Sequence, residues 1–463
     1  MNNYPFPENF LASLSAENGF DEQNFVNAHQ NSDAPTTIRL NPFKPSAIKT
    51  DEQVPWCADG FYLNTRPSFT FDPLFHAGCY YVQEASSMFI DHIVKHIRQN
   101  NTEPVKVLDL CAAPGGKSTL LNSAIGPDDL LVANEIIKTR VPILTDNLSR
   151  WGQSNVIVSS NDPKDFSRLK SFFDIILVDA PCSGSGMFRK DPQAMNEWSE
   201  ANVELCHQRQ ERILADVLPA LNEDGYLIYS TCSYSHQENE DIVDLLCREF
   251  DLESIRIPIY KEWGIVETQS AQQKAWGYRF YPGQVKGEGL FAACLQKKNN
   301  TGQMGNFKNN MQQKISSREI DQVKTYINNA DSFYYFKVSD DWLAINRVHK
   351  ESLNILQYHL YLKKSGVRVG QLMGKDLIPD HELALSTIIN KEAVLQTELN
   401  YDQAIQYLRR DNIDLNPTEK GWSLMNFEGH ALGWAKLLPN RINNYYPKEI
   451  RILAPQPPKR GAV

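Results

Sequence analysis

The sequence predicts an α/β protein built on a doubly wound, mostly parallel sheet, preceded by an N-terminal extension and followed by a smaller C-terminal α+β region. Three observations carry this. Between residues 105 and 298, short β-branched runs alternate with longer segments of helical apolar spacing, as in repeated βαβ units. The motif-like segments fall where those runs end, and in such sheets ligands sit at the carboxyl ends of the strands. After Lys298 the composition changes abruptly to NNTGQMGNFKNNMQQ, rich in Asn, Gln and Gly with almost nothing to bury.

In chain order, residues 1–100 form an extension in which short helices mix with TTIRLNP. The core is assigned to 101–298, with strands at VKVLDLC (Val105 to Cys111), LLVANE (Leu130 to Glu135), NVIVSSND (Asn155 to Asp162), DIILVDAP (Asp174 to Pro181) and GYLIYSTC (Gly225 to Cys232). Intervening segments such as IKTRVPILTDNLSRWG have helical spacing, and LESIRI and LFAACLQKK add two more strands. Residues 299–314 read as a linker. In 315–463 one helix, ISSREIDQVKTYI, precedes strand-like FYYFKV, WLAINR and HLYLKK, then GVRVGQLMG and GWSLMNFEGHALGWAKLL. This end is expected to be a small unit with a barrel-like sheet, and a fragment ending near Lys298 to keep the core and its ligand site.

At 463 residues the chain exceeds what one hydrophobic core usually organises. Its 41% hydrophobic and 22% charged residues are ordinary for a soluble protein, and no run reaches the roughly 18 apolar residues of a membrane span. The start, MNNYPFPENFLASLSAENGF, has Pro and acidic residues where a secretory signal has a basic start and an apolar stretch. The expected setting is therefore cytoplasmic, without a membrane. The 8 cysteines are scattered with no CxxC pair, which predicts free thiols and neither a disulfide framework nor a metal site. A formal charge of −9 disfavours indiscriminate nucleic-acid binding, so any RNA surface must be local.

The segment VLDLCAAPGGKST is a strand, a small-residue turn and a helix start, where Ala112, Ala113, Gly115 and Gly116 let a nucleotide-like ligand approach the backbone. A phosphate loop fails on spacing, because G-x-x-x-x-G-K-[ST] needs glycine where Cys111 stands, and no G-x-G-x-x-G is present. Glu135 ends the next strand, where a carboxylate can accept both ribose hydroxyls, and Asp162 ends the third, within reach of an adenine amino group. Either acid alone reads equally well as a helix N-cap or a solvated loop acid. With Asp109 and the Gly-rich turn they describe an adenosine site without phosphate, which S-adenosylmethionine fits.

Asp179, Pro181 and Cys182 leave the fourth strand in ILVDAPCSGSGMFRKDP, and Thr231 and Cys232 leave the fifth in IYSTCSYSHQENE. Adjacent strand ends bring two thiols and a carboxylate to one crevice. C5 of cytosine is not nucleophilic until a thiolate adds to C6, and after methylation a base must remove the C5 proton before the thiolate can leave. A carboxylic acid can hold the N3/N4 edge of the ring meanwhile. The plain alternative is that both cysteines are small buried hydrophobes.

Together these motifs resemble the NOL1/NOP2/Sun family of RNA cytosine-C5 methyltransferases over roughly residues 35 to 298: TTIRLNP, YYVQEASSM, LDLCAAPGGKST, Glu135, Asp162, DAPCSGSG, TCSYSHQENE and GEGLFAACLQKK. The resemblance implies a class I, Rossmann-like methyltransferase core with an RNA-facing N-terminal extension. It implies that Cys232 is the nucleophile and Cys182 the base that assists release. Cys111, Ala112, Ala113, Pro114, Gly115, Gly116, Lys117, Glu135, Asp162 and Asp179 would line S-adenosylmethionine, Asp179 also facing the base, with no metal. One departure is FYPGQVKGEG, where Gly283 and Gln284 follow Pro282 and many relatives have Pro-His.

The tail is similar to the PUA-like RNA-binding end of the family's bacterial small-subunit rRNA enzyme. Lys436, Arg441, Lys448, Arg451, Lys459 and Arg460 cluster against a lone Glu449, interleaved with Trp434, Tyr445 and Tyr446 that can stack on bases. The expected reaction is cytosine-C5 methylation of RNA on an extruded base, with small-subunit rRNA or the 30S particle as partner. Transfer RNA is the nearest alternative substrate. Alternatives of other classes are a non-catalytic ribosome-assembly RNA-binding factor and an amino-group methyltransferase.

Overall fold

The structure, a computed structural model, describes residues 6–99, 101–299, 302, 315–413, 415, 418–439 and 441–455. At its centre five parallel strands lie in the order Val156–Ser159, Leu130–Asn134, Lys106–Asp109, Phe173–Asp179 and Leu221–Thr231. Their residues are apolar without alternation because helices cover both faces; Leu108, Val132, Ile157 and Ile176 are fully buried. The strand order reverses between Lys106–Asp109 and Phe173–Asp179, so the crevice for a ligand opens at the carboxyl ends of those two.

Beyond Leu221–Thr231 the sheet continues antiparallel through Leu290–Lys297, Trp276–Phe280 and Val266–Gln269. The last two were not marked in the sequence. LESIRI contributes only Leu252–Ser254, paired beside the end of Leu290–Lys297.

The other edge departs from expectation. HLYLKK was assigned to a separate tail sheet, but Leu362–Ser365 pairs antiparallel with Val156–Ser159 and completes a ten-stranded core sheet. Tail residues Phe336, Leu343, Ile345, Leu353, Leu356 and Leu360 share one hydrophobic cluster with Leu108, Leu130, Val132 and Ile157 of the core. The expected linker at 299–314 lies outside the described residues apart from 299 and 302.

The rest of the tail forms two four-stranded sheets in place of the single barrel-like sheet expected. One holds Phe333–Val338, Asp341–Asn346, Val367–Met373 and Asp376–Pro379; the other holds Leu395–Glu398, Gly421–Phe427, His430–Leu438 and Arg441–Asn444. The N-terminal extension carries a three-stranded sheet, Gly60–Leu63, Thr36–Leu40 and Tyr80–Val82. Its Ile38, Leu74 and Ala77 bury against Ala404, Leu408, Met425 and Leu432 of the tail. The two ends of the chain therefore share a core.

Candidate active site

Behind the Lys106–Asp109 strand the chain turns through Cys111 to Gly115 into the helix Gly116–Ala124. Gly115 caps that helix at φ 115°, a backbone conformation that side-chain-bearing residues avoid. The turn is braced from two sides. Ala112 donates its N–H to the Asn134 carbonyl at 2.8 Å, Asn147 donates to the Pro114 carbonyl at 2.8 Å, and Arg140 donates to the Ala113 carbonyl. Burial pushes the Cys111 thiol above its ordinary range, so it serves here as a small apolar wall.

Four acids lie at the strand ends where a cofactor site was expected. Asp109 is fully buried; its Oδ2 accepts from Ser118 at 2.6 Å, while its Oδ1 has no partner. Burial pushes this carboxyl up to about 7, against the lowering effect of the Ser118 bond. Glu135 is buried, takes the Ile137 N–H at 2.7 Å and lies 3.4 Å from Arg140. Asp162 is the N-cap of the short helix Pro163–Phe166, accepting from the Lys164 N–H at 3.1 Å. The structural role weighed for it is thus present, at the strand end where an adenine contact was expected. The fourth, Asp179, accepts from Lys117 Nζ at 2.9 Å and from Ser230 Oγ at 2.8 Å. Burial lowers the Lys117 ammonium, but Asp179, Cys232 and Asp109 outweigh it and raise it. Lys117 thereby joins the Gly-rich turn to the side of the crevice that carries the cysteines.

Cys182 and Cys232 meet with their sulfurs 3.1 Å apart, both half-buried. The Gly186 N–H donates to the Cys232 carbonyl at 2.7 Å, and the Tyr234 N–H to Ser185 Oγ at 3.0 Å, so the two loops are stitched together. The Cys182 thiol is pushed well above its ordinary range, first by its hydrogen bond to Cys232 and then by burial. Cys182 therefore keeps its proton, and either sulfur can donate to the other.

Two site residues were not singled out from the sequence. Asn134 donates to the carbonyls of Leu110 and Asn161 at 3.1 and 3.0 Å, tying the first and third strand ends together. Its signal was an amide inside the otherwise apolar LLVANE. The other, Glu238, lies fully buried beneath the cysteine loops.

Three family models match the chain. They describe the N-terminal domain of 16S rRNA methyltransferase RsmF at residues 6–85, 16S rRNA methyltransferase RsmB/F at 96–296, and the methyltransferase RsmF PUA domain at 394–452. A ribosomal RNA small subunit methyltransferase F from Psychromonas ingrahamii is 30% identical over 449 residues, spanning 89% of this chain and 90% of the relative. The chain belongs to that family. A further methyltransferase F, from Klebsiella pneumoniae, is 29% identical with 96% of both chains covered. A solved methyltransferase homolog from Pyrococcus horikoshii superposes with a TM-score of 0.50 at 30% identity, over 59% of this chain and 90% of that one. The methyltransferase F PUA match takes in the second tail sheet, whereas Leu362–Ser365, which completes the core sheet, lies between the matched segments.

In this chain the tail's expected stacking surface needs correction. Trp434 is 1% and Tyr446 2% exposed: the Trp434 indole donates to the Asp380 carbonyl at 2.8 Å, and Tyr446 packs edge-on against His381 and Tyr407. Neither can stack on a base. The accessible aromatic is Tyr445, 44% exposed, edge-on to Trp422, over which Lys436 also lies. Arg441, Lys448 and Arg451 are exposed, while Lys459 and Arg460 lie outside the described residues. Among the described residues no helix is long and apolar enough to cross a membrane, and no group of three His, Cys, Asp or Glu is placed to hold a metal ion.

Proposed function

We propose that this protein transfers a methyl group from S-adenosylmethionine to C5 of a cytosine in small-subunit rRNA, with Cys232 as nucleophile and Cys182 assisting release. The observation that carries the reading is the 3.1 Å pair of thiols beside Asp179 at the switch point of the sheet. The cofactor fits the cleft's donor set: an unpartnered carboxylate oxygen on Asp109 for an ammonium, the Glu135 carboxylate for ribose hydroxyls, and no phosphate cradle. Bound S-adenosylmethionine supplies an electrophilic methyl group on a sulfonium.

The residues divide the chemistry. The Cys232 thiolate adds to C6 of an extruded cytosine, and electron density moves toward N3 and C5. Asp179 accepts from the exocyclic amino group, and Lys117 beside it sets a positive charge against the developing negative charge. After C5 is methylated, Cys182 takes the C5 proton, and the electron pair of that bond expels Cys232 as thiolate. The order of events follows from the thiol pair. Before attack, Cys182 is held neutral by its bond to Cys232; once Cys232 sulfur is bonded to carbon, that restraint is gone and Cys182 ionises more readily.

The partner is the rRNA itself or the assembling 30S particle, and the tail's Tyr445, Lys436 and neighbouring arginines support an RNA contact there. Two thiols this close would be joined by an oxidant, which supports work in the reducing cytoplasm. The test is mass spectrometry of nucleosides from rRNA and tRNA of cells with and without the gene. A 5-methylcytosine lost from small-subunit rRNA and restored by the wild type but not by Cys232→Ala is the expected result. Loss confined to tRNA, or of a base methylated on nitrogen, would overturn it.

A further inference from the structure

Cys182 and Cys232 sit on separate loops, 50 residues apart in sequence, yet the reaction needs their sulfurs at a fixed spacing. A single buried side chain spans both loops. Glu238 Oε2 accepts from the hydroxyl of Ser183 at 2.5 Å and from that of Ser233; its Oε1 accepts from the Ser183 N–H at 2.8 Å. Ser183 and Ser233 are the residues that immediately follow the two cysteines. Gln210 donates to Glu238 Oε1 at 3.4 Å and to the Pro181 carbonyl at 3.1 Å, which ties in the residue before Cys182 as well.

The neighbours of Glu238 hold the same span. Asn239 accepts from Thr231 Oγ1 at 2.6 Å and donates to the Ser233 carbonyl at 2.8 Å, bracketing Cys232 from both sides. Glu240 is paired with Arg279, which donates to the Tyr234 carbonyl at 2.7 Å. Of the three, Glu238 alone reaches both loops.

We propose that Glu238 is a positioning residue: its carboxylate, shared between Ser183 and Ser233, sets the separation of the nucleophilic thiol from the thiol that assists release. The proposal rests on the roles given above to Cys232 and Cys182. Glu238 does not touch the base or the cofactor. Removing it takes a shared acceptor from the two hydroxyls, one backbone N–H and the Gln210 amide in a buried site, and the spacing of the loops then rests on the Gly186–Cys232 and Tyr234–Ser185 bonds and the 3.3 Å contact between the two serine hydroxyls. A misplacement of reacting groups by about 1 Å costs on the order of 10²-fold in rate.

The experiment compares wild type, Glu238→Ala, Glu238→Gln, Ser233→Ala and Cys232→Ala in the full chain, on unmethylated small-subunit rRNA. It measures kcat, the KM for RNA and the Kd for S-adenosylmethionine. Adduct formation on RNA carrying 5-fluorocytosine with S-adenosylmethionine is followed in parallel; there the C5 position bears no proton for Cys182 to take, so the signal reads Cys232 attack and methyl transfer without the release step. Expected are a kcat about 10²-fold lower in Glu238→Ala with KM and Kd within about twofold, and slower adduct formation. Glu238→Gln, which keeps an acceptor for the Ser183 N–H, should recover to within about tenfold of wild type, and Ser233→Ala should fall between. Normal kcat in Glu238→Ala, or equal loss in Ala and Gln variants together with weakened cofactor binding, would overturn the proposal. Should Glu238→Ala fail to fold, Ser233→Ala decides, because unchanged adduct formation in it would also overturn the clamp. Turnover by Cys232→Ala would sink the cysteine roles themselves and the clamp with them, whereas an inactive Cys232→Ala beside a fully active Glu238→Ala would sink the clamp alone.

Discussion

Replacing Leu356 by alanine tests whether the tail and the methyltransferase core are one cooperative unit. Leu356, on the helix Lys350–His359, is completely buried in the cluster that also holds Leu108, Leu130 and Ile157 of the central strands. Truncating a buried leucine costs about 2–5 kcal/mol, depending on how far the cavity collapses. In a cooperative unit of this size that lowers the melting temperature by about 2–5 °C. The informative assay is differential scanning calorimetry with and without S-adenosylmethionine. A ligand present at about 100 times its Kd adds about 2.7 kcal/mol to whichever unit binds it, so the transition it shifts is that of the core. Leu356→Ala should lower that same transition, although the substitution is in the tail. Two transitions, of which only the cofactor-insensitive one moves, would refute the shared core. The same argument replaces the expectation that a fragment ending near Lys298 keeps an intact cofactor site: the Ser160 N–H donates to the Tyr361 carbonyl at 3.0 Å, and the Tyr361 N–H to Asn161 Oδ1 at 2.9 Å, beside Asp162.

Cys182→Ala should attack and methylate but release slowly, leaving a covalent protein–RNA band on a denaturing gel that is absent when Cys232 is also removed. Normal turnover without a band would take the proton-removing role away from Cys182. His76 and His381 are kept neutral by burial, their pKa values lowered to about 4 and about 3 from the ordinary 6.5. Because the unfolded chain takes up these protons and the folded chain does not, stability is full above pH 6.5 and falls as pH drops toward 4, by about 2 kcal/mol per histidine at pH 5. Thermal melts between pH 7 and 5 should show this slope, reduced in His76→Gln; a flat profile would count against it. Tyr445→Ala should weaken RNA binding by about 1–3 kcal/mol at constant fold, whereas Trp434→Ala should cost about 3–5 kcal/mol of stability. Filter binding and melting curves separate the two.

The central strands were legible because strands buried on both faces announce themselves as unbroken apolar runs with polar residues only at their ends, and those ends carry Asp109, Glu135, Asp179 and Cys232. The edges were not. Val266–Gln269 reads VETQ, too few apolar residues for periodicity to find it, while Leu362–Ser365 was legible as a strand within HLYLKK but carried no sign that its partner is Val156–Ser159 of the core. Trp434 and Tyr446 misled for a different reason. Interleaving with lysine and arginine along the chain gives no account of what packs over each ring, and the start of the helix His381–Leu385 meets both, Asp380 accepting from Trp434 and His381 packing on Tyr446. Glu238 precedes the helix Glu240–Phe250 and reads as an ordinary acid at a helix start; only the fold brings Ser183 to it.

The closing strand Leu362–Ser365 also bears on how the protein is made. Synthesis runs from the N-terminus, so every residue of the candidate active site is already polymerised when Lys298 leaves the ribosome. At that moment Val156–Ser159 is still an open edge, with backbone groups unpaired and the cluster around Leu108 lacking the tail side chains Leu353, Leu356 and Leu360 that complete it. Such an edge is a template for pairing with other chains, and it is silenced only when residues 362–365 emerge more than sixty residues later. A nascent enzyme thus passes through an interval in which its chemistry is encoded but its sheet is unfinished. Interrupted translation in that interval should yield aggregates or chaperone-bound chains and no free truncated methyltransferase.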